Sequence, residues 1–522
     1  MKGPTTNQAS DKNSNLDSQS ITDRTLRGFF WTSTGTGIQV LLQVAVLAVL
    51  ARLLTPSDFG LVAAASVVVS FSEIFSWFGM APVVVQRPTL EARHVRTGFT
   101  LSLLFGVLLA GLIWLLAPAI ASSFRMNELT PVLRVMVLVF PFHGASTISG
   151  CLLLRELRFR CLVKISVVSY ALGYGVVGVS LAFMNFGVWA LVGGSLARSV
   201  LGCIILLLVQ PHQKKPQIDR DALKELMYFG GGFTIYRIFN YFALEGDNLV
   251  VGRWLGTGAL GLYGRAYQLM AMPATLFGRV VDGVLFPVIA KMQNETERLA
   301  TAYRRGVALT ALLVLPASAI IFVLSPEIIQ VLLGSKWSGV LIPFQVLTLG
   351  MYFRAGYKVG GVLALAKGAV YGSAWRQAVY AILVVVGAWV GQRFGITSVA
   401  IGVVLALVVF FLLLAQLSIS LIQISWKEFI TAHVPGVTLA AVVWAVSWGM
   451  ANLMREINLP AIAIILTTMI AVLFCVILFV YFIPMLSIGK DGIWWLQTLS
   501  RYIPSSVNFV KQIKIRGNWT AL

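Results

Sequence analysis

Apolar runs of about 20 residues, the length that crosses a bilayer, follow one another along nearly the whole chain with short polar connections between them. Their positions predict fourteen helices, at roughly 27–50, 60–84, 98–121, 130–154, 163–184, 187–210, 226–249, 259–288, 303–325, 339–364, 374–393, 396–424, 429–453 and 459–484. Several connections carry turn signals: TPSDFG, MNELTP, NFG, GTG and RFG. Glycine and proline also fall inside the runs, among them Gly173, Gly178, Gly194, Pro118, Pro141 and Pro316. Small residues let helix backbones approach closely, and prolines kink them.

Composition agrees with this pattern. Hydrophobic residues make up 58% of the 522, charged residues only 11%, and the mean hydropathy is +0.85. A soluble domain carries about 25% charged residues, so the fold class is all-α and polytopic. No connection leaves room for a sizeable soluble domain. The first 26 residues are polar and lack the short apolar core of a signal peptide. They read as a disordered cytoplasmic tail. Cys151, Cys161, Cys203 and Cys475 show no paired spacing and read as small apolar residues.

The net charge of +20 suggests nucleic acid at first sight. The basic residues, however, sit where membrane topology puts them. With the N-terminus inside, 27 Lys and Arg fall in cytoplasmic segments and 7 on the opposite side. Both termini are therefore expected in the cytoplasm, and nucleic acid is set aside as a partner.

One pattern is written twice. ARLLTPSDFGL at 51–61 and GRWLGTGALGL at 252–262 align with an offset of 201, which places Arg52 on Arg253, Leu54 on Leu255, Gly60 on Gly261 and Leu61 on Leu262. The copies join helices one to two and seven to eight, six spans apart, so both have the same orientation. This is a parallel repeat of two pseudo-symmetric six-helix lobes related about the membrane normal. The organisation expected is a first lobe at 27–210, a second at 226–424, two further helices at 429–484, and a cytoplasmic tail at 485–522.

The remaining six cations lie inside predicted spans: Arg198, Arg237, Arg265, Arg279, Arg354 and Lys358. Near or within spans are also the acids Glu73, Glu245, Asp247 and Asp282. A charge in lipid is expensive, so these groups should face a wet cavity or pair with one another. Arg237, Tyr241, Glu245 and Asn248 follow at intervals of four, four and three, one face of a helix, with Asn240 and Asp247 beside it. Arg354 and Lys358 form a like-charged pair one turn apart, which repels itself unless it is solvated or given an anion. A cationic cavity that binds an anionic ligand is therefore expected, with Arg237 as the first candidate. The plainer readings stay open: Arg279 with Asp282 as a structural pair, Glu73 as a structural or proton-coupled acid, His143 as a satisfied interior histidine, and Arg265, Arg354 and Lys358 as cations reaching for the interface. There is no phosphate-binding Gly-x-x-x-x-Gly-Lys, no His-Glu-x-x-His and no Cys/His cluster, and the chain does not read as an enzyme or a metal protein.

The segments ARLLTPSDFG, FGMAPVVVQRPTLEARHVRTGF, LLLRELRF, FGVWALVGGSLAR, GDNLVVGRWLGTGALGLYGRAYQLMAMP and VLFPVIAKM resemble the bacterial polysaccharide transporters. These are the Wzx-type lipid-linked oligosaccharide flippases of the MOP superfamily, in particular exporters of colanic acid and succinoglycan type. The resemblance covers about residues 25–425. It implies fourteen helices, two six-helix lobes around a central cavity, and an undecaprenyl-pyrophosphate-linked oligosaccharide carried across the bacterial inner membrane for exopolysaccharide or lipopolysaccharide synthesis. It suggests alternating access, with protons or sodium as candidate driving ions and no bound cofactor. It places arginines of the second lobe on the pyrophosphate, which carries over to Arg237, Arg279 and Arg354, and it marks Asp247 as a recurrent acid of helix seven. Membrane lipids, a polysaccharide polymerase and glycosyltransferases are the expected neighbours. The rivals are a multidrug-type antiporter, for which an acid-lined cavity would be the sign, lipid II transport within the same superfamily, and an inert scaffold of an assembly complex.

Overall fold

The structure is a computed structural model in which the described residues are 35, 37–76, 90–212, 217, 219–280, 289, 292 and 295–499, without the side chains of 75–76, 220–236, 276–277, 279–280 and 496–499. The expected tail at 1–26, residue Asp282 and the chain beyond 499 lie outside them.

Among the described residues ten helices are long and apolar enough to cross a membrane, and Gly37–Leu53 is a shorter apolar helix. The protein is a multi-pass, all-helical membrane protein. Among the described residues the expected runs are helical, and the differences lie at ends and breaks. The helix α1, Pro56–Ser76, starts earlier than the apolar pattern alone placed it. Thr55 caps it: the Asp58 carboxylate accepts from the Thr55 backbone N–H at 2.9 Å and from its hydroxyl at 2.7 Å, and Pro56 occupies the first turn, where its missing N–H costs nothing. The turn signal TPSD is thus a helix start.

The expected helix at 130–154 is two, Leu129–Met136 and Val139–Arg155. Pro141 cannot donate to the Val137 carbonyl one turn back, so the ladder breaks there. Pro435 divides Trp426–Thr431 from Val434–Glu456 in the same way. The expected seventh and eighth helices form one run, Arg220–Val280, interrupted at Gly256 with φ 86°, a left-handed conformation that glycine adopts freely.

By its internal contacts the chain divides into two compact units. Residues up to Tyr241 together with Gly256–Gly261 form the first, and Phe242–Leu255 with residues from Leu262 onward form the second. In the first unit the duplicated motif meets itself. A methyl group on Gly60 would lie 1.8 Å from the Thr257 carbonyl oxygen, and one on Gly261 would lie 1.8 Å from that of Pro56. With the offset of 201, Pro56 corresponds to Thr257 and Gly60 to Gly261, so the contact is reciprocal. Only a hydrogen fits at either position.

In the second unit, Thr296–Val323 packs along Val434–Glu456, and Ala461–Phe482 packs on the latter. Leu312, Leu439, Val443 and Val472 close one end of this contact, and Val323, Leu324, Ala451 and Ile464 the other. Arg455 fastens it with a forked ion pair to the buried Glu327, at 2.8 and 3.0 Å, and a third bond to the Val323 carbonyl at 3.0 Å. The outward face of Ala461–Phe482 is apolar, with Leu466, Ile470 and Leu473 exposed, as suits a helix against lipid.

Gly60→Ala and Gly261→Ala should each lower stability by about 1–3 kcal/mol, the usual cost of overpacking. Gly449→Ala, at a position open to space, should be neutral. Thermal unfolding of the purified protein in detergent reads the difference. Arg455→Met should cost about 1.5–3 kcal/mol by the same measurement, because it strands the Glu327 carboxylate.

Candidate functional site

Two sets of polar groups lie within the helical bundles, one in each unit. In the first unit a cavity of about 460 Å³, which Met136 and Tyr174 also touch, is lined chiefly by four helices. These are α1, α2 (Val139–Arg155), α3 (Phe159–Tyr170) and α4 (Val188–Val209). Each brings polar residues at helical spacing to the lining: Ser66, Ser70 and Glu73 from α1, His143 and Ser146 from α2, Ser166 and Ser169 from α3, and Ser195, Arg198 and Ser199 from α4. The Glu73 carboxylate stands 3.5 Å from His143 Nδ1. The Arg198 guanidinium lies 5.5 Å from the centre of the Tyr170 ring, at cation–π distance.

Local sequence sets this geometry. After Tyr170 the chain runs through a π-helical stretch, Ala171–Gly178, a feature that recurs at functional sites. There Gly173 lies against the backbone of Arg198, where a methyl group would come within 2.5 Å of its nitrogen. This approach holds α3 and α4 together at the level of Arg198.

The second unit holds a hydrogen-bonded network, in which Asn248 Oδ1 is buried without a partner. The Asp247 carboxylate, 1% exposed, accepts from the Tyr263 hydroxyl at 2.6 Å and from the Asn248 backbone N–H at 2.8 Å. The Glu245 carboxylate accepts from the Asn248 side-chain amide at 2.8 Å. Arg354 donates to the Tyr267 hydroxyl at 2.5 Å, and its charge attracts both carboxylates. Arg265 donates to the Gln268 side-chain carbonyl, and Lys358 lies against Gly278.

The residues singled out in the sequence therefore fall into separate groups. Glu73 and Arg198 line the cavity with His143. Glu245, Asp247 and Arg354 belong to the network. Tyr241, in the first unit, is buried, and its hydroxyl donates to the Val67 carbonyl at 2.7 Å. Arg237, one turn before it, and Asn240, beside it in the chain, are half-buried. The Arg279 side chain and Asp282 lie outside the described residues. Sequence reasoning passed over the serines of the cavity and the tyrosines Tyr263 and Tyr267. Their signal was present as polar residues three or four apart in otherwise apolar helices, yet a hydroxyl in a helix is ordinarily satisfied by its own backbone.

Polar groups enclosed by helices of membrane-spanning length define a transporter-like membrane protein, and the comparisons agree. Its fold is that of the lipid II flippase MurJ in an inward closed conformation, with a TM-score of 0.70 at 14% identity over 86% of this chain and 98% of that one. A multidrug-resistance MATE family transporter of the MOP superfamily, in an inward-facing conformation, aligns with a TM-score of 0.59 at 18% identity over 74% of this chain and 96% of that one. Residues 49–342 match the family described as polysaccharide biosynthesis protein, and the chain belongs to that family. It is 24% identical to the lipopolysaccharide biosynthesis protein WzxC of Escherichia coli K12, over 75% of this chain and 80% of WzxC. It is 25% identical to the teichuronic acid biosynthesis protein TuaB of Bacillus subtilis 168, over 67% and 72%.

Tyr263→Phe should destabilise the protein by about 1–3 kcal/mol, since it removes a donor from a buried carboxylate. The shift in thermal unfolding checks this.

Proposed function

We propose that the chain is a flippase that moves an undecaprenyl-pyrophosphate-linked oligosaccharide repeat unit from the inner to the outer leaflet of the bacterial inner membrane. Both termini lie in the cytoplasm, and the product feeds exopolysaccharide or lipopolysaccharide synthesis. The observation that carries this reading is the hydroxyl- and charge-lined cavity among spanning helices of the first unit. A lipid-linked sugar cannot cross alone, because its hydroxyls and phosphates would lose their water. A polar hollow between helices replaces that water, while the polyprenyl tail stays in lipid. The family membership and the names of WzxC and TuaB support the same substrate class.

Arg237 is assigned to the pyrophosphate, for which a guanidinium offers forked hydrogen bonds. Arg354, whose guanidinium donates to the Tyr267 hydroxyl, is a second candidate. Glu73, Glu245 and Asp247 are either structural acids or the ones through which protons or sodium couple to transport. The chain acts as a carrier and not as an enzyme. Glycosyltransferases act before it and a polymerase after it.

A deletion strain should accumulate undecaprenyl-linked oligosaccharide on the inner leaflet, seen by extraction of lipid-linked intermediates and leaflet-selective labelling. Arg237→Ala should abolish export while the protein still inserts. Full export by that variant would remove the assignment of Arg237, and a deletion strain with no accumulation would remove the transport reading.

A further inference from the structure

We propose that Arg304, Arg305 and Trp494 form a binding site for the phosphodiester headgroup of a resident anionic membrane lipid. The site lies at the end of the second unit that the orientation proposed above makes cytoplasmic. Residues 306–323 carry no charge. As helix they span about 27 Å, close to the ~30 Å of the hydrocarbon layer. Arg304 and Arg305 immediately precede them in Thr296–Val323, so both guanidiniums stand at the level of the lipid phosphates. The last spanning helix, Ala461–Phe482, is followed by the short helix Gly489–Leu499, which packs on Thr296–Val323. Three contacts hold it there. Gly489, with φ 64°, lies against Pro435, where a methyl group would come within 2.7 Å of the proline ring. At Gly492 a methyl group would lie 3.1 Å from the Leu312 side chain. The Thr438 hydroxyl donates to the Leu486 carbonyl at 2.7 Å.

So placed, the short helix brings Asp491 and Trp494 to the two arginines. The Asp491 carboxylate accepts from Arg304 at 3.0 Å and stands 3.7 Å from Arg305 Nε, in ion-pair range but beyond hydrogen-bond length. Among the described residues no other carboxylate lies within ion-pair distance of either arginine. Two positive charges are thus answered by one negative charge, and the surplus equals the single charge of a lipid phosphodiester. The neighbouring chain does not cancel it. From residue 457 to the end the sequence holds five Lys and Arg and one acid, Asp491 itself. The Arg304 and Arg305 side chains are 39% and 29% exposed, so a ligand can reach them. The Arg305 guanidinium lies 3.8 Å from the centre of the Trp494 ring, a cation–π contact that holds its fork in place. Such a fork gives a phosphate two parallel hydrogen bonds. Trp494 is itself exposed, and tryptophan favours the headgroup level. The recognition chemistry is that of any phosphate. The uncharged helix directly below it and the tryptophan beside it assign that phosphate to a lipid.

The test titrates the full chain in detergent with phosphatidylglycerol or with phosphatidylcholine of the same acyl chains, and native mass spectrometry counts the lipid retained. Wild type should bind phosphatidylglycerol more tightly by about thirtyfold, roughly fivefold for each of the two cations. Arg304→Gln combined with Arg305→Gln should bring the ratio to about one. Arg304→Lys with Arg305→Lys keeps the charge, and it should keep most of the preference and show that the fold tolerates change there. Lys367→Gln with Lys427→Gln removes two cations elsewhere on the same proposed side and should leave the ratio unchanged. Equal binding of the two lipids by wild type would overturn the proposal. So would a full preference in the double glutamine variant, or an equal loss in the Lys367 and Lys427 variant. Inorganic phosphate is added as a competitor, and displacement of phosphatidylglycerol at equal concentration would show a simple anion site. Displacement by an equal concentration of undecaprenyl pyrophosphate would assign the arginines to the transported molecule. Either result overturns the resident-lipid site and leaves the transport reading standing.

Discussion

Inside a bilayer a polar group has no water to fall back on, so each one must find a partner in the protein or a hollow that admits one. The two polar sets in this protein are the two answers to that constraint. In the second unit Asp247, Tyr263, Asn248, Glu245, Tyr267 and Arg354 answer one another, hydroxyl and amide to carboxylate and guanidinium to hydroxyl. In the first unit the serines, Arg198 and the Glu73–His143 pair surround open space. Paired groups hold helices in register, and groups around open space leave binding capacity unspent.

The helices around these groups are built for lipid. Their association cannot draw on expulsion of water, since lipid tails are as apolar as leucine. Close approach takes its place, and that is why glycine sits where helices touch. Gly173 brings the π-helical stretch against Arg198, and Gly60 and Gly261 bring carbonyls into contact where no side chain would fit. The duplicated sequence thus has a local physical reason: each copy supplies the glycine that the other copy's carbonyl requires. The Glu327–Arg455 fork and two apolar clusters fasten the helices Val434–Glu456 and Ala461–Phe482 to Thr296–Val323 and the following Ser325–Leu332.

Much of this was legible in the chain. The apolar runs fixed the class and the order of the helices, because the thickness of the hydrocarbon layer sets their length. Where expectation and structure part, at residues 137–138 and 432–433, a proline three residues on removed a donor that the apolar pattern does not register. TPSD read as a turn because cap and turn use the same residues, and the apolar neighbours alone do not separate them. For the site, the cations and acids were visible as costly residues, but charge alone does not tell a paired group from an open one. Arg354 and Arg198 look equivalent in sequence. One donates to the Tyr267 hydroxyl, and the other faces a lined hollow.

The sequence by itself determined that the chain spans a membrane, where its helices run, that one motif is repeated, and which charges had to be shielded from lipid. Each follows from local composition against a fixed hydrocarbon thickness. The tertiary structure decided which shielded groups satisfy each other and which are left facing space. That choice depends on helix rotation and on approaches within a few ångströms between residues far apart in the chain, such as Tyr241 and Val67 of the first unit, 174 positions apart, and no periodicity along one helix encodes it.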